Sequence, residues 1–590
     1  MKTLCDILVR IRRAAREDLL CVRSPDTGEL VSVSAAQFLA RVDRCAAALA
    51  RVGVGRGDRV GLICRNRPEW HIIDFGCQRL EAVLVPLFPT LTGRQATYCF
   101  GDSGSKVVIV EGGDHLDKLV SVSGALPELA VLAVIDPPEC LPVGPAGMRI
   151  FSFDELLAQG DGTPAELAGP ESPDAVATII YTSGTTGSPK GVMLTHRNLI
   201  SNTEALQRFD PLSPADIGLS VLPLCHVYQR TADYVCLAAG ARLAYSGPEK
   251  LSIDFKVVRP TVMVGVPRLY QKLRAAIEAQ VARGGAFDRR VYGLALRVGM
   301  KRARSRHGGT SEGLLNKLLH PVLEFVVLRK IRAAAGGRIR AFAAGGAALD
   351  ASLNWWYAAI GWELAQGYGL TESSPVISTN RIADNRIGSV GQPLPGVEVR
   401  IEVDGEILVR GPNVMKGYWH RRQETEETIV DGWLRTGDIG KLDADGFLWI
   451  TDRKKAILVT STGKNVAPAP LENALQQSPY IQQVIVLGDG RRFIAALIVP
   501  SFDQLERWAG ERGLGTDHAD LCKASEVMAL MQSEIDGSQA ELARYQKVRA
   551  FRLLERPFTE EQGHLTPTMK LIRRAVLAQY ADLIEEIYAE

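Results

Sequence analysis

The stretch Tyr181-Thr-Ser-Gly-Thr-Thr-Gly-Ser-Pro-Lys190-Gly191 joins three glycines, five aliphatic hydroxyls and one lysine directly to an apolar run, residues 175–180. Such a composition can grip phosphate. Gly184, Gly187 and Gly191 let the backbone approach an anion, Thr182, Ser183, Thr185 and Thr186 offer donors, and Lys190 supplies the counter-charge. The spacing excludes a Walker loop, because Ser188 and Pro189 stand between the last loop glycine and the lysine. A nucleoside triphosphate suits the loop, and a plain Ser/Thr/Gly turn is the alternative if the stretch is taken alone.

Four further segments carry chemistry in the same chain. They are Gly367-Tyr-Gly-Leu-Thr-Glu372-Ser-Ser-Pro375, Gly432-Trp-Leu-Arg-Thr-Gly-Asp438, Asp452-Arg-Lys-Lys455 running on to Gly463-Lys-Asn-Val-Ala-Pro468, and Leu565-Thr-Pro-Thr-Met-Lys570. Alone, Thr371-Glu372 could cap a helix, Asp438 could form a turn and Lys570 could be one more surface lysine. In this order, and over nearly the whole chain, the five segments resemble the adenylate-forming (AMP-dependent) synthetase superfamily, most closely the long-chain fatty acid CoA ligases.

The resemblance implies ATP-dependent activation of a long-chain fatty acid through acyl-AMP to acyl-CoA, with ATP, Mg2+ and coenzyme A taking part. Activation requires a carboxylate oxygen to attack the α-phosphorus of ATP, so two anions must be brought together and the developing charge stabilised. The implied roles follow motif by motif. The loop 182–187 with Lys190 holds the phosphates. Gly345, Gly346 and Ala347 pass beside the adenine, as do Gly367, Tyr368 and Gly369. Thr371 reaches the α-phosphate and Glu372 holds Mg2+, for which Thr186 is a second candidate. Asp438 accepts both ribose hydroxyls, with Arg453 adding a contact. Lys570 bridges the carboxylate and the α-phosphate, and Gly463, Lys464 and Asn465 line the way in for the pantetheine thiol. His226, in Leu222-Pro-Leu-Cys-His-Val-Tyr228, matches a histidine flanking the acyl pocket; a wall or gate suits it better than a base, since the acid is already ionised near neutral pH.

Two departures from the family pattern stand out. Gln229 occupies a position where glutamate is frequent, which leaves the polarity of the pocket mouth open, and Ala456 replaces a common acid. Two rival readings remain. One is a fatty acyl-AMP ligase that delivers to an acyl carrier protein, though the insertion after the hinge expected of that group is not found. The other is a catalytically silent nucleotide- and lipid-binding protein, which is expected to have lost some of Lys190, Glu372, Asp438, Arg453 and Lys570; all five are present.

These motifs need a large frame. A chain of 590 residues is too long for one core, and 46% hydrophobic with 23% charged residues is ordinary for globular domains. From about 30 to 270, short apolar runs alternate with helical stretches, which predicts α/β layering with buried, largely parallel strands. The expected architecture is a large N-terminal α/β domain over 1–451 and a smaller, mobile α+β C-terminal lid over 452–590, hinged at Asp452. Residues 268–335 read as a helical insertion, with Phe287, Val291, Leu294 and Val298 on one face.

The net charge is +2, from 69 basic and 67 acidic residues, which gives no ground for a nucleic-acid partner. Locally the balance differs: residues 268–306 hold eleven Lys or Arg against Glu278 and Asp288, a net of +9. A solvated basic face is the plain reading, and peripheral contact with an anionic membrane surface is the functional one. Ten scattered cysteines without Cys-x-x-Cys spacing point to a reducing, cytoplasmic setting, at most peripheral to the inner face of a membrane. Neither a signal peptide nor a spanning segment is expected.

Overall fold

Apolar runs rich in valine, isoleucine and leucine form the buried strands of two sheets, seen in a computed structural model that describes all residues except 25–26, 145–146, 162–168, 183–188, 310, 455–457, 462–463, 541, 566–570 and 590. The first sheet has eight strands. In spatial order they are Gly417–Tyr418, Lys190–Thr195, Val176–Thr182, Val83–Leu87, Arg59–Ile63, Ser105–Gly112, Val131–Asp136 and Arg149–Ser152. From Val176–Thr182 to Arg149–Ser152 all neighbours are parallel, whereas Lys190–Thr195 returns antiparallel to Val176–Thr182. The second sheet has nine strands, and its central part, from Glu363–Gly369 through Ala341–Ala344, Val262–Gly265 and Ile217–Ser220 to Arg242–Tyr245, is also parallel. Parallel strands covered by helices on both faces explain why these runs lack polar alternation.

Both sheets belong to one compact unit, Met1–Glu402 with Leu408–Thr436 and Leu442–Trp449. Helices Pro68–Arg79 and Val227–Ala238 meet in its interior around a charged pair. Arg230 and Asp74 are fully buried. Arg230 Nε donates to Asp74 Oδ2 at 3.1 Å and its Nη2 donates to Oδ1, while the Tyr234 hydroxyl and the Gln78 amide donate to the same carboxylate at 2.5 and 3.1 Å. Trp70 and Tyr234 lie against the guanidinium, 5.3 and 5.6 Å from ring centre to Cζ. A buried ion pair persists only when its lone pairs are matched in this way.

Residues 267–334 are helical, as Pro267–Ala282, Ala286–Gly308, Leu314–Leu323, a π-type turn Glu324–Leu328, and Arg329–Ala334. The amphipathic face expected for Ala286–Gly308 is only half realised. Val298 is buried, but Phe287 is 77% exposed because the first turns of that helix run past the core.

The second unit comprises Val403–Ile407, Gly437–Lys441 and Ile450–Glu590. Its centre is the strand Ile494–Pro500, buried at every position, paired antiparallel with Ile481–Leu487 and parallel with Val548–Leu553. Helices Pro468–Leu475, Phe502–Gly510, Ser525–Ser538 and Ala581–Ala589 contribute the rest of its core. None of the ten cysteines is paired: eight are buried, Cys5 is half-buried and Cys140 is exposed.

Candidate functional site

The phosphate-loop residues 183–187 lie outside the described residues, but both strands that carry the loop are described. Thr182 ends the strand Val176–Thr182 and Lys190 begins Lys190–Thr195, and the two face each other in register. Gly191 has no room for a side chain, since a Cβ there would come 2.7 Å from Ile179. At this end of the strand pair the Tyr181 hydroxyl donates to Asp102 Oδ2 at 2.5 Å, and Tyr98 donates to the Pro189 carbonyl at 3.2 Å.

Across this strand edge lies the segment that carries Glu372. Lys190 Nζ sits 5.1 Å from the ring centre of Tyr418, and the Tyr418 hydroxyl donates to Glu372 Oε1 at 2.9 Å. Burial, and next the Glu372 charge, push the Tyr418 hydroxyl above its ordinary pKa, so it stays a donor. The strand Gly417–Tyr418 pairs with Lys190–Thr195, and this pairing brings the two motifs together.

The turn bearing Thr371 and Glu372 is fixed by amide side chains. Asn413 Nδ2 donates to the carbonyls of Ser373 and Val376 at 3.1 and 3.3 Å, and Asn202 exchanges two hydrogen bonds with the backbone of Val376 at 2.8 and 2.9 Å. Asn198 forms a capping box with Thr195 at the start of the helix His196–Phe209, and its amide reaches the carbonyls of Pro412 and Val414 at 2.8 Å. The Met415 amide donates to the Glu372 carbonyl at 2.8 Å. Gly369 is obligatory, because a Cβ there would lie 1.7 Å from the Pro375 oxygen.

The strand Glu363–Gly369 carries Gly367 and Tyr368, paired with Thr379 and Ser378 on Val376–Thr379. Gly345 and Gly346, followed by Ala347, leave the end of Ala341–Ala344, where the Gly345 amide donates to the Gly265 carbonyl at 3.1 Å. Tyr228 packs on Gly345 so closely that a Cβ there would come 3.1 Å from its ring. His226 caps the helix Val227–Ala238, its Nδ1 accepting from the Tyr228 amide at 3.2 Å. The same helix sends the Thr231 hydroxyl to the Ser374 carbonyl at 3.4 Å.

Gln229 is not at a pocket mouth. It is 1% exposed, its Oε1 accepts from the amides of Val221 and Leu222 at 3.2 and 3.0 Å, and its Nε2 donates to Asp233 at 2.7 Å. A glutamate could accept from the amides but could not donate to Asp233, so the amide answers to an interior carboxylate. Burial pushes Asp233 up to about 7. Cys225, beside His226, is buried, and desolvation pushes its thiol pKa up.

In the second unit Asp438 is 3% exposed and accepts from Arg453 Nε at 3.0 Å. Lys454 Nζ reaches Asp404 and Glu406 at 2.6 and 2.8 Å, and Glu406 also accepts the Gly437 amide at 3.1 Å. Lys464 lies before the short strand Asn465–Val466, its Nζ 5.9 Å from the Tyr545 ring centre. Gly463 and Lys570 lie outside the described residues, as does the side chain of Asn465.

Within the first unit, then, the structure joins Lys190 and Glu372 through Tyr418, sets Thr182 opposite Lys190, and links His226, Gly345 and Ser374 through one helix. Sequence reasoning missed Tyr418, Asn198, Asn202 and Asn413. Asn198 left a trace, as the fourth residue of a Thr-x-x-Asn cap after the loop. Among the described residues no group of three or more His, Cys, Asp or Glu is placed to hold a metal ion.

Known proteins resemble the chain over most of its length. Residues 11–419 match the family model described as AMP-binding enzyme, and residues 455–590 match the one described as AMP-binding enzyme C-terminal domain. A long-chain-fatty-acid–CoA ligase of Mycobacterium bovis is 36% identical over 571 residues, covering 95% of this chain and 93% of the relative. A peroxisomal long chain acyl-CoA synthetase of Arabidopsis thaliana is 35% identical, covering 91% and 79%. Among solved structures, the adenylation domain of a carboxylate reductase from Mycobacterium chelonae superposes with a TM-score of 0.77 at 24% identity, covering 100% of this chain and 91% of that one, a likeness of fold.

Proposed function

The chain belongs to the AMP-binding enzyme family, and from that premise we propose that it is a long-chain fatty acid CoA ligase. A fatty carboxylate attacks the α-phosphorus of ATP, giving acyl-AMP and pyrophosphate; the thiol of coenzyme A then attacks the acyl carbon and AMP leaves. The observation that supports this reading is the Lys190–Tyr418–Glu372 array, with a cation over the ring of one tyrosine and a carboxylate at its hydroxyl, beside the strand end at Thr182.

Lys190 and the hydroxyls of 182–186 hold the phosphates, and Thr371 donates to the α-phosphate. Among the described residues Glu372 makes no ion pair, and a carboxylate bonded only to a neutral hydroxyl suits Mg2+, which prefers one or two carboxylates together with phosphate oxygens. When bound, the ion screens phosphate charge; Thr186 is a further candidate ligand. Gly345, Gly346, Ala347, Gly367, Tyr368 and Gly369 border the adenine. Asp438 accepts the ribose hydroxyls in exchange for part of its contact with Arg453. Lys570 stabilises the charge that builds between carboxylate and α-phosphate. His226, held as a helix cap, is a wall of the acyl pocket.

Gly463, Lys464 and Asn465 line the path of the thiol after the segment 452–590 turns about Asp452, so that one site serves two half-reactions in sequence. In this reading the domains are 1–451 and 452–590, whereas the compact units group 403–407, 437–441 and 450–451 with the second. Cysteine usage supports a reducing cytoplasmic setting, and the basic stretch 268–306 supports peripheral contact with an anionic membrane surface.

The test is to incubate the protein with ATP, Mg2+ and carboxylic acids from short to very long chain, with and without coenzyme A, and to measure AMP and acyl-CoA. CoA-dependent turnover that peaks at long chains is expected. Pyrophosphate release with stalled acyl-AMP would transfer the protein to carrier-protein acceptors, and no turnover with any acid would retire the ligase reading.

A further inference from the structure

The helix Leu314–Leu323 and the π-type turn Glu324–Leu328 that extends it turn apolar side chains toward solvent. Leu314, Leu315, Leu318, Val322, Phe325 and Val326 are each between 44% and 76% exposed. Six of the eighteen large hydrophobic side chains exposed among the described residues therefore fall within thirteen positions, and they share a face by i, i+4 spacing. Single exposed leucines are ordinary on a protein surface, but a contiguous patch marks a contact.

This orientation is built in. The opposite side of the helix is buried through Asn316, Leu323 and Leu328, and the Asn316 amide donates to the Val298 carbonyl of the neighbouring helix at 3.1 Å. Pro321 inside the helix removes one amide donor, and the wider turn that follows absorbs the missing bond while keeping Phe325 and Val326 in line with Val322.

The charges around the face all have one sign. Lys317, Arg329 and Lys330 are exposed among or beside the apolar residues, and the Arg329 guanidinium lies 5.9 Å from the Phe325 ring centre. No acid between 313 and 334 is exposed: Glu324 pairs with Arg332, and Glu312 pairs with Arg302 at 3.5 Å. The adjoining helix Ala286–Gly308 adds exposed Arg297, Lys301 and Arg304.

We propose that this face, residues 314–330, docks on an anionic lipid bilayer, the leucines, valines and phenylalanine entering the acyl boundary while the cations meet phosphate headgroups. The basic helices 268–306 then act as a charged rim rather than as the inserting element. In a two-fold pairing with a second copy of the chain, Lys317, Arg329 and Lys330 would meet like charges, which disfavours that occupant. The proposal rests on the ligase reading in one respect: long-chain acids and their thioesters partition into bilayers, so docking brings the site to the phase that holds them.

Vesicle flotation tests it with the full chain, using phosphatidylcholine vesicles with and without phosphatidylglycerol, at about 0.1 M and about 1 M salt. Wild type should float with the anionic vesicles at the lower salt. Both Leu318→Asp/Phe325→Asp and Lys317→Glu/Lys330→Glu should bind them roughly tenfold more weakly or worse. Circular dichroism and melting temperature should be unchanged, since all four side chains are exposed. Equal binding to neutral vesicles, or anionic binding that neither variant reduces, would overturn the proposal. So would a wild-type dimer in sedimentation that Leu318→Asp/Phe325→Asp dissolves while no vesicle binding is seen. Flotation requires no turnover, so its result and that of the acid panel are read independently.

Discussion

In the first unit Glu372 is held through buried amides, with Asn202 and Asn413 each bonding twice to its turn, whereas in the second unit Asp438 meets an arginine whose side chain is 58% exposed. Lys454, 43% exposed, bridges to Asp404 and Glu406 in the same open manner. The difference separates two ways of holding a functional group. Bonds to buried backbone are costly to break, so the turn that bears Thr371 and Glu372 is ready before any ligand arrives. Only the arginine side of this pair is screened by solvent, so Arg453 can leave for water while Asp438 takes another donor in its place.

The sharpest way to break this contrast is to remove charge from the interior of the first unit. Asp74→Ala leaves Arg230 buried and unpaired and should cost about 3–5 kcal/mol in urea unfolding. A cost below about 1 kcal/mol would mean that this interior tolerates loose charge as a surface does. Next in size, Lys570→Ala should slow acyl-AMP formation by roughly a hundred- to a thousandfold, yet spare thioester formation from preformed acyl-AMP. Equal loss in both half-reactions would remove the division of labour between the two units.

A pH comparison follows. Asp233 is raised by burial to about 7 from an ordinary 3.8, so the native state binds the extra proton, and this group makes the fold less stable as pH rises from about 4 to about 7. His71 and His196 act in the opposite sense. Burial depresses both to about 4, so the unfolded state binds their protons first and stability rises with pH between about 4 and 6.5. Asp233→Asn removes only the first effect. Its stability relative to wild type should therefore climb by a few kcal/mol from pH 4 to pH 7 in denaturant titrations, and a flat difference would contradict the assignment.

Tyr418→Phe keeps the ring beside Lys190 and loses the hydroxyl on Glu372; adenylation should fall about tenfold with folding intact. Arg453→Ala stands at the other end of the scale. It should change the melting temperature less than Asp74→Ala does, since Arg453 is more than half exposed, while raising the KM for ATP several-fold. A large loss of stability there would erase the comparison.

How much of this was legible in the sequence depended on range. Buried strands declare themselves as unbroken apolar runs whatever their direction, so 59–64, 106–110, 481–488 and 492–500 coincide closely with strands, the first two in parallel pairs and 481–488 in an antiparallel one. The family was readable because its motifs are local strings of residue types. Asn202 and Asn413 carry no such mark, for their partners lie 174 and 37 to 40 positions away and no periodicity links them. Periodicity also identifies a stripe without saying which way it faces. Phe287, placed by spacing on one face with the buried Val298, is exposed, and so are Leu314 and Leu318 on the following helix. Gln229 shows another limit: a family position where glutamate is frequent raised the polarity of a pocket mouth, whereas Gln229 and its partner Asp233 are both buried.

The arrangement of thiols turns the chain into its own gauge of local opening. A maleimide added to the native protein meets Cys140 first, with Cys5 half-shielded and eight sulfurs out of reach. Cys522 alone belongs to the second unit, whereas seven of the shielded thiols belong to the first. Mass increments after a brief pulse of alkylating reagent would thus tell which unit had breathed: one extra label for the second, up to seven for the first. That stoichiometric clock needs neither an introduced probe nor turnover.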